Sequence, residues 1–305
     1  MNVSFVLATC LPVFLTLALG MLCRSKQILS REQIDGLKKV VLNITLPAVL
    51  VNAFATAEYS TATLAIPVVV YVLCYLALLL GMLYCKIFRL KGHATPFLST
   101  GFEAGMIGYA LFALLFPLEA ESRFAILDLG HVLFVFTLFK ILITGKTDGK
   151  AILKDMVSSP ILWAVIVGFI LGVTGLYGKL HDWGVGGILD ALTAFVSAPT
   201  GMVILLTIGY DLVLREIPWK KTAGLVAMRL VVMGALATVL LLLNRYLLDG
   251  IMLPGAVLLM CILPPPFVIP VFVDAEEERV QISAALSAMT LMTMILFAVL
   301  TVVYG

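Results

Sequence analysis

Ten stretches of this 305-residue chain are apolar enough and long enough to cross a bilayer: residues 3–22, 37–56, 63–85, 97–117, 123–144, 160–178, 185–210, 223–247, 254–273 and 280–303. About 20 apolar residues in helical form span the hydrocarbon of a membrane. Hydrocarbon offers backbone N–H and C=O groups no partner, so such segments pair those groups internally and fold as helices. Hydrophobic residues make up 62% of the chain and charged residues 12%, against roughly half and a quarter in a soluble domain. These features imply an all-α polytopic membrane protein. A net charge of +2 gives no footing for nucleic acid. Cys10, Cys23, Cys74, Cys85 and Cys261 are scattered in apolar context with no Cys-x-x-Cys pair. They read as membrane-core residues, neither disulfides nor metal ligands.

The first apolar run does not read as a cleavable signal, because its charges, Arg24 and Lys26, follow it. Most of the 20 Lys and Arg residues fall in odd-numbered loops, among them Lys38, Lys86, Lys146, Lys150, Lys154 and Arg215. The even loops carry Arg123, Lys179 and Arg245. The positive-inside rule then places the odd loops in the cytoplasm. The expectation is a multi-pass protein of the cell (inner) membrane with both termini outside. The ninth loop, from Asp274 to Arg279, is acidic, which hardly counts in that rule.

Two halves are legible. Pro12 and Gly20 recur as Pro160 and Gly168, each 148 residues on, and Pro47 recurs as Pro199, 152 residues on. The expected division is a five-helix repeat over 1–145, a cytoplasmic linker over 146–159, and a second repeat over 160–305. Five spans is an odd number, so the second repeat enters the membrane inverted, a plan of many secondary transporters.

The ninth segment carries Pro264, Pro265, Pro266 and Pro270. Three consecutive prolines supply no N–H and leave carbonyls one turn upstream unpaired, so a helix cannot run through them intact. Unwound backbone at membrane depth survives only against protein or a wet cavity, and marks a place where polar things bind or pass. Inversion predicts a matching break in the fourth segment. There Gly101, Gly105 and Gly108 surround Glu103 and Ala104. Glycine permits unwinding, while Gly101-x-x-x-Gly105 is also the pattern of a helix-packing face.

Glu103 is the leading candidate for chemistry, because a carboxylate in mid-span is costly and marks function by default. It reads as a proton carrier, or else as a wetted interfacial acid or a static partner of Arg229. Arg229, the basic residue inside a span, reads three ways: holding an anionic substrate, neutralising Glu103, or snorkelling toward Lys221. Asp128 and His131 share a helix face at i, i+3 and read as a proton route or as a satisfied buried pair. Asn43 and Asn52 flank Pro47 and face either the pathway or a neighbouring helix. Asp190 and Asp211 bracket the seventh segment.

Leu11-Pro12-Val13-Phe14 through Gly20, Lys26-Gln27-Ile28-Leu29-Ser30, Leu46-Pro47-Ala48 and Gln281 through Thr290 resemble the auxin efflux carrier family, which includes bacterial malate and malonate permeases. The resemblance implies ten spans in two inverted five-helix repeats, with broken helices 4 and 9 crossing near the bilayer midplane. It places substrate beside that crossing, near Glu103, Ala104, Gly105, Gly108, Pro264, Pro265, Pro266 and Phe267. The family's fourth span often reads Asn-x-Gly-Phe-x-Gly-x-Pro; here Glu103 stands for the asparagine and Ala110 for the proline. An acid at that place fits proton coupling, or a substrate with a cationic part.

The expected function is secondary transport of a small organic solute, a carboxylate first, by alternating access with proton coupling through Glu103. The alternative is a cation/proton exchanger of the Na⁺/H⁺ type with Glu103 as ion ligand. No enzyme motif, cofactor or metal is expected, only H⁺ or Na⁺ as a coupling ion. Expected partners are the lipid bilayer, a small organic acid or related solute, and a second copy of the chain in a homodimer.

Overall fold

The computed structural model describes residues 3–117, 120–145, 157–212, 218–273 and 275–304. The charges expected at Lys146, Lys150, Lys154, Arg215 and Asp274, and most of the 146–159 linker, lie outside them. The fold is 83% helix, with no strand among the described residues.

Helix α1 (Val3–Ser25) carries Pro12 inside it. The second segment begins at α2 (Arg31–Val40), capped by a reciprocal box in which Ser30 accepts from the Gln33 amide and Gln33 from the Ser30 amide. Arg31, Lys38 and Lys39 are thus helical residues. A π turn over Val41–Thr45 then leads into α3 (Leu46–Ala55), with Pro47 at its start. The wide turn sits where a proline would otherwise collide with the carbonyl one turn back. After α4 (Thr61–Phe88) comes a short 3₁₀ turn, Thr95–Ser99. The chain is non-helical from Thr100 to Glu103, then enters a π turn (Ala104–Gly108) and α5 (Tyr109–Leu115). The fifth segment is α6 (Glu121–Phe134), a π turn, and α7 (Lys140–Thr144).

In the second half, α8 (Pro160–Val173) starts with proline at its first position, where the missing N–H costs nothing. It bends by 69° into α9 (Leu176–Asp182). Then follow α10 (Gly186–Ser197) and α11 (Thr200–Asp211), interrupted at Pro199, and α12 (Trp219–Tyr246). Helix α13 (Pro254–Ile262) stops before Pro264; a 3₁₀ turn (Ile269–Phe272) precedes α14 (Glu276–Tyr304).

Eight described helical segments are long and apolar enough to cross a membrane, nine if the bent α8–α9 pair counts as one. Two of the ten expected segments are not single continuous helices: the ninth, whose break was expected, and the sixth, whose bend was not. Residues 254–273 are not one helix, because the prolines end α13 after nine residues. Residues 160–178 bend at Thr174–Gly175, where Gly175 takes φ +67°. Large apolar side chains such as Leu11, Leu15, Val68 and Leu83 stand exposed on the long helices, as expected of a surface against hydrocarbon and costly in water.

Helix α1 packs against α11, and α3 against α8. Glycines set both approaches. A Cβ on Gly20 would come within 2.7 Å of the Tyr210 nitrogen, and one on Gly168 within 2.7 Å of the Val51 oxygen. No side chain fits at either position. Helix α4 packs against α6 and against the 3₁₀ turn before the first break.

Candidate functional site

Two stretches lose helix within the apolar body of the molecule, residues 100–103 and 263–266, and they lie against each other. The Glu103 amide donates to the Pro264 carbonyl at 2.8 Å. Buried main-chain groups here need partners, and neighbouring segments supply several of them. At the end of α13, the Ile262 carbonyl accepts from the Thr293 hydroxyl of α14 at 2.6 Å. The next carbonyl, Leu263, accepts from Arg229 Nη2 at 2.7 Å. Arg229 Nη1 donates to the carbonyls of Leu98 and Thr100 at 3.3 and 3.4 Å. The Phe102 amide donates to His131 Nε2 at 3.1 Å. Gly101, in the first break, takes φ +63°, a conformation that side chains disfavour.

Glu103 joins the two breaks through its side chain as well. Its Oε2 accepts from the Phe267 amide at 2.7 Å, across the gap, and its Oε1 from the Met106 amide at 3.2 Å, on its own segment. Nearby, His131 Nδ1 and Asp128 Oδ1 lie 3.1 Å apart, and the Tyr109 hydroxyl donates to Asp128 Oδ2 at 3.2 Å.

Glu103 opens onto a cavity of about 850 Å³. Ala104, Gly105, Pro266, Phe267, Asp128 and His131 also line it. Its walls are mostly apolar, with Leu42 and Leu50 from the second segment, Ile208 from the seventh, and Phe272 beyond the second break. Arg31, Lys38, Lys140 and Asp211 also line it, and the exposure of Arg31 and Asp211 places its mouth at these charges. Asp211 accepts from Arg31 at 2.6 Å and also from Lys38. Three hydroxyl residues of α14, Ser283, Ser287 and Thr290, line the wall, on one face at helical spacing.

Other sequence candidates lie elsewhere. Arg229 does not line the cavity, and at 0% exposure it does not snorkel. No carboxylate lies within ion-pair distance of it among the described residues, so static pairing with Glu103 is also corrected. Its guanidinium instead serves carbonyls orphaned by the two breaks. Gly108 is buried, and a Cβ there would come within 2.9 Å of Leu263 and Phe124; it serves packing. Asn43 donates to the Lys39 carbonyl of its own helix at 2.7 Å and is exposed. Asn43, Pro47, Asn52 and Pro199 are absent from the cavity wall. Helical phase explains this: Leu42 and Leu50 present the inward face of the second segment, and the prolines sit where their segments are interrupted. Pro264 and Pro265 are buried behind Pro266 and Phe267. Asp190 accepts from Tyr177 at 2.7 Å and lies 2.8 Å from His181 Nε2, tying α9 to α10 outside the cavity.

Sequence reasoning passed over the hydroxyl face of α14 and the cationic mouth. The first was visible as spacing, Ser283, Ser287, Thr290. The second needed α2 to begin at Arg31, a start that the Ser30-x-x-Gln33 box signals.

Apolar helices around a cavity floored by two broken, mutually bonded segments define a multi-pass membrane protein of the transport class. Residues 5–145 match the family model described as a membrane transport protein. Over that stretch the match agrees with the likeness to the auxin efflux carriers seen in the sequence. The chain is also similar to an uncharacterized transporter of Methanothermobacter thermautotrophicus, 25% identical over 214 residues, which are 68% of each chain.

Proposed function

We propose that this protein is a secondary transporter for a small organic carboxylate, working by alternating access with a proton carried on Glu103. The observation that carries this reading is the Glu103 carboxylate itself. It accepts one N–H from each broken segment while facing a cavity large enough for a small solute. Hydrogen bonds to a charged acceptor contribute about 1.5–3 kcal/mol each, more than those to a neutral one. A proton on Glu103 therefore weakens its hold on Phe267 and Met106, and an incoming carboxylate can take over the same N–H groups. Proton and anion then travel together.

The ten-span, inverted-repeat plan belongs to this proposal. It is supported by the equivalent packing of Gly20 and Gly168, each in the first helix of its half, against the second segment of the other half. The breaks of the fourth and ninth segments hold equivalent places. In this plan the α1, α3, α8 and α11 contacts form a frame, and the broken segments move against it. On the positive-inside assignment the cavity mouth at Arg31, Lys38 and Lys140 is cytoplasmic, so this conformation is open inward. A cationic mouth raises the local concentration of anions.

The test is uptake by purified protein in vesicles, with labelled small mono- and dicarboxylates, under an imposed pH gradient or an imposed Na⁺ gradient. Uptake of an acid driven by the pH gradient supports the proposal. Exchange of Na⁺ for H⁺ with no movement of any acid would replace it with the exchanger reading.

A further inference from the structure

We propose that His131 is a positioning residue for Glu103, held by Asp128 in its Nδ1–H tautomer and serving as a proton-sensitive latch on the first break. The tautomer follows from the partners. Phe102 N–H can only donate, so His131 Nε2, 3.1 Å away, bears a lone pair and no proton. The ring proton is then on Nδ1, which faces Asp128 Oδ1 at 3.1 Å. Asp128 Oδ2 is in turn held by the Tyr109 hydroxyl at 3.2 Å. The imidazole also stacks on the Phe102 ring, with centroids 4.0 Å apart. The carboxylate fixes the ring, and the ring fixes the amide directly before Glu103.

A second proton on His131 would sit on Nε2 and point at the Phe102 N–H, donor against donor. That hydrogen bond is then lost, and the segment carrying Glu103 is released from α6. His131 lines the cavity, so a proton can reach it from there. Glu103 on the break and Cys74 on α4 share the electrostatic surroundings of this couple, and Glu121 on the same helix acts on Tyr109 through its charge. Arg229 of α12 reaches the same break through the Thr100 carbonyl. A carboxylate and an imidazole thus act on one short stretch of chain, Glu103 on its far side and His131 on its near side. The inference rests on the transport reading only for its purpose; the latch itself is tested without substrate.

The test uses the full-length protein with ¹⁵N-labelled histidine, the His131 signal being identified by its loss in His131→Gln. Expected is an Nδ1–H ring in mildly alkaline buffer that becomes doubly protonated on acidification. Amide exchange at Phe102, corrected for its intrinsic pH dependence, should quicken by about tenfold or more over the same range. In His131→Gln the side-chain oxygen can still accept from Phe102 N–H, so protection should persist and lose its pH dependence. In His131→Leu protection should be lost at every pH. An Nε2–H ring in alkaline buffer, or Phe102 exchange that responds to pH equally in wild type and His131→Gln, overturns the proposal. If neither variant folds, the His131 signal is identified by its survival in His93→Gln and His181→Gln, and its tautomer decides alone. Failure to move any organic acid in vesicles would strike the transport reading and leave these results standing.

Discussion

Arg229 Nη2 donates to the Leu263 carbonyl at 2.7 Å, while Nη1 of the same guanidinium reaches the Leu98 and Thr100 carbonyls. One side chain on α12 thus ties the end of regular helix in the ninth segment to the end of regular helix in the fourth. A planar fork of donors suits this task and a lysine does not. Replacing Arg229 with Leu strands three buried carbonyls, and a buried acceptor left without its partner costs about 1–3 kcal/mol. Thermal unfolding in detergent should show a large fall for Arg229→Leu and an intermediate one for Arg229→Lys. A wild-type midpoint for the leucine variant would mean that Arg229 braces nothing.

Glu103→Gln keeps an oxygen for one of the two amides and removes the charge and the titrating proton. The variant should fold, with stability lowered by about 1–3 kcal/mol as charged hydrogen bonds become neutral ones. Uptake in vesicles should lose its dependence on pH. Retention of the wild-type pH profile would remove the proton from the role proposed for Glu103.

At the cavity mouth Asp211 accepts from both Arg31 and Lys38. The group is partly exposed, so Asp211→Asn should change stability by no more than about 1 kcal/mol. Its effect should be electrostatic. Freed cations at the mouth should speed initial uptake of an anion at low ionic strength, with the gain fading as salt is added. Initial rates measured across a salt series check this, and a gain that persists at high salt would point to a different cause.

All five native cysteines are buried, so the native chain should react only weakly with a polar thiol reagent. Ser287→Cys puts a thiol on the cavity wall, and it should label from the aqueous phase several times faster than the native background. A Ser287→Cys rate no different from background would remove the hydroxyl face of α14 from the pathway.

The breaks were readable because proline and glycine act locally. Pro264 to Pro266 forbid an intact helix whatever surrounds them, and Gly101 beside Glu103 marks a second weak point. What repairs a break is a tertiary matter. Arg229 lies 34 positions before Leu263, and nothing in the residues around it says that its fork will find three carbonyls. Helical phase likewise decided against Asn43 and Asn52. Both sit beside Pro47 in an apolar run, yet the face that lines the cavity is the one bearing Leu42 and Leu50. The partnership of His131 with Asp128 was visible as an i, i+3 pair, but the Phe102 amide that gives the ring its direction is 29 residues away.

Gly101 offers the most direct test of the break itself. Its φ of +63° costs an alanine about 1–2 kcal/mol, and the added Cβ would lie 3.0 Å from Pro266 Cγ and 3.3 Å from His131 Nε2. Gly101→Ala should therefore lower the unfolding temperature and also loosen Phe102 and Glu103, which follow it. Gly234, inside α12, is the control, because a Cβ there meets nothing within 4 Å. Alanine is the better helix former by about 1 kcal/mol, so Gly234→Ala should leave the unfolding temperature unchanged or raise it. The two substitutions are chemically identical, and a strained, unwound segment at residues 100–103 requires them to act with opposite sign. Equal, small effects from both would mean that Gly101 sits in ordinary helix and that the fourth segment is unbroken.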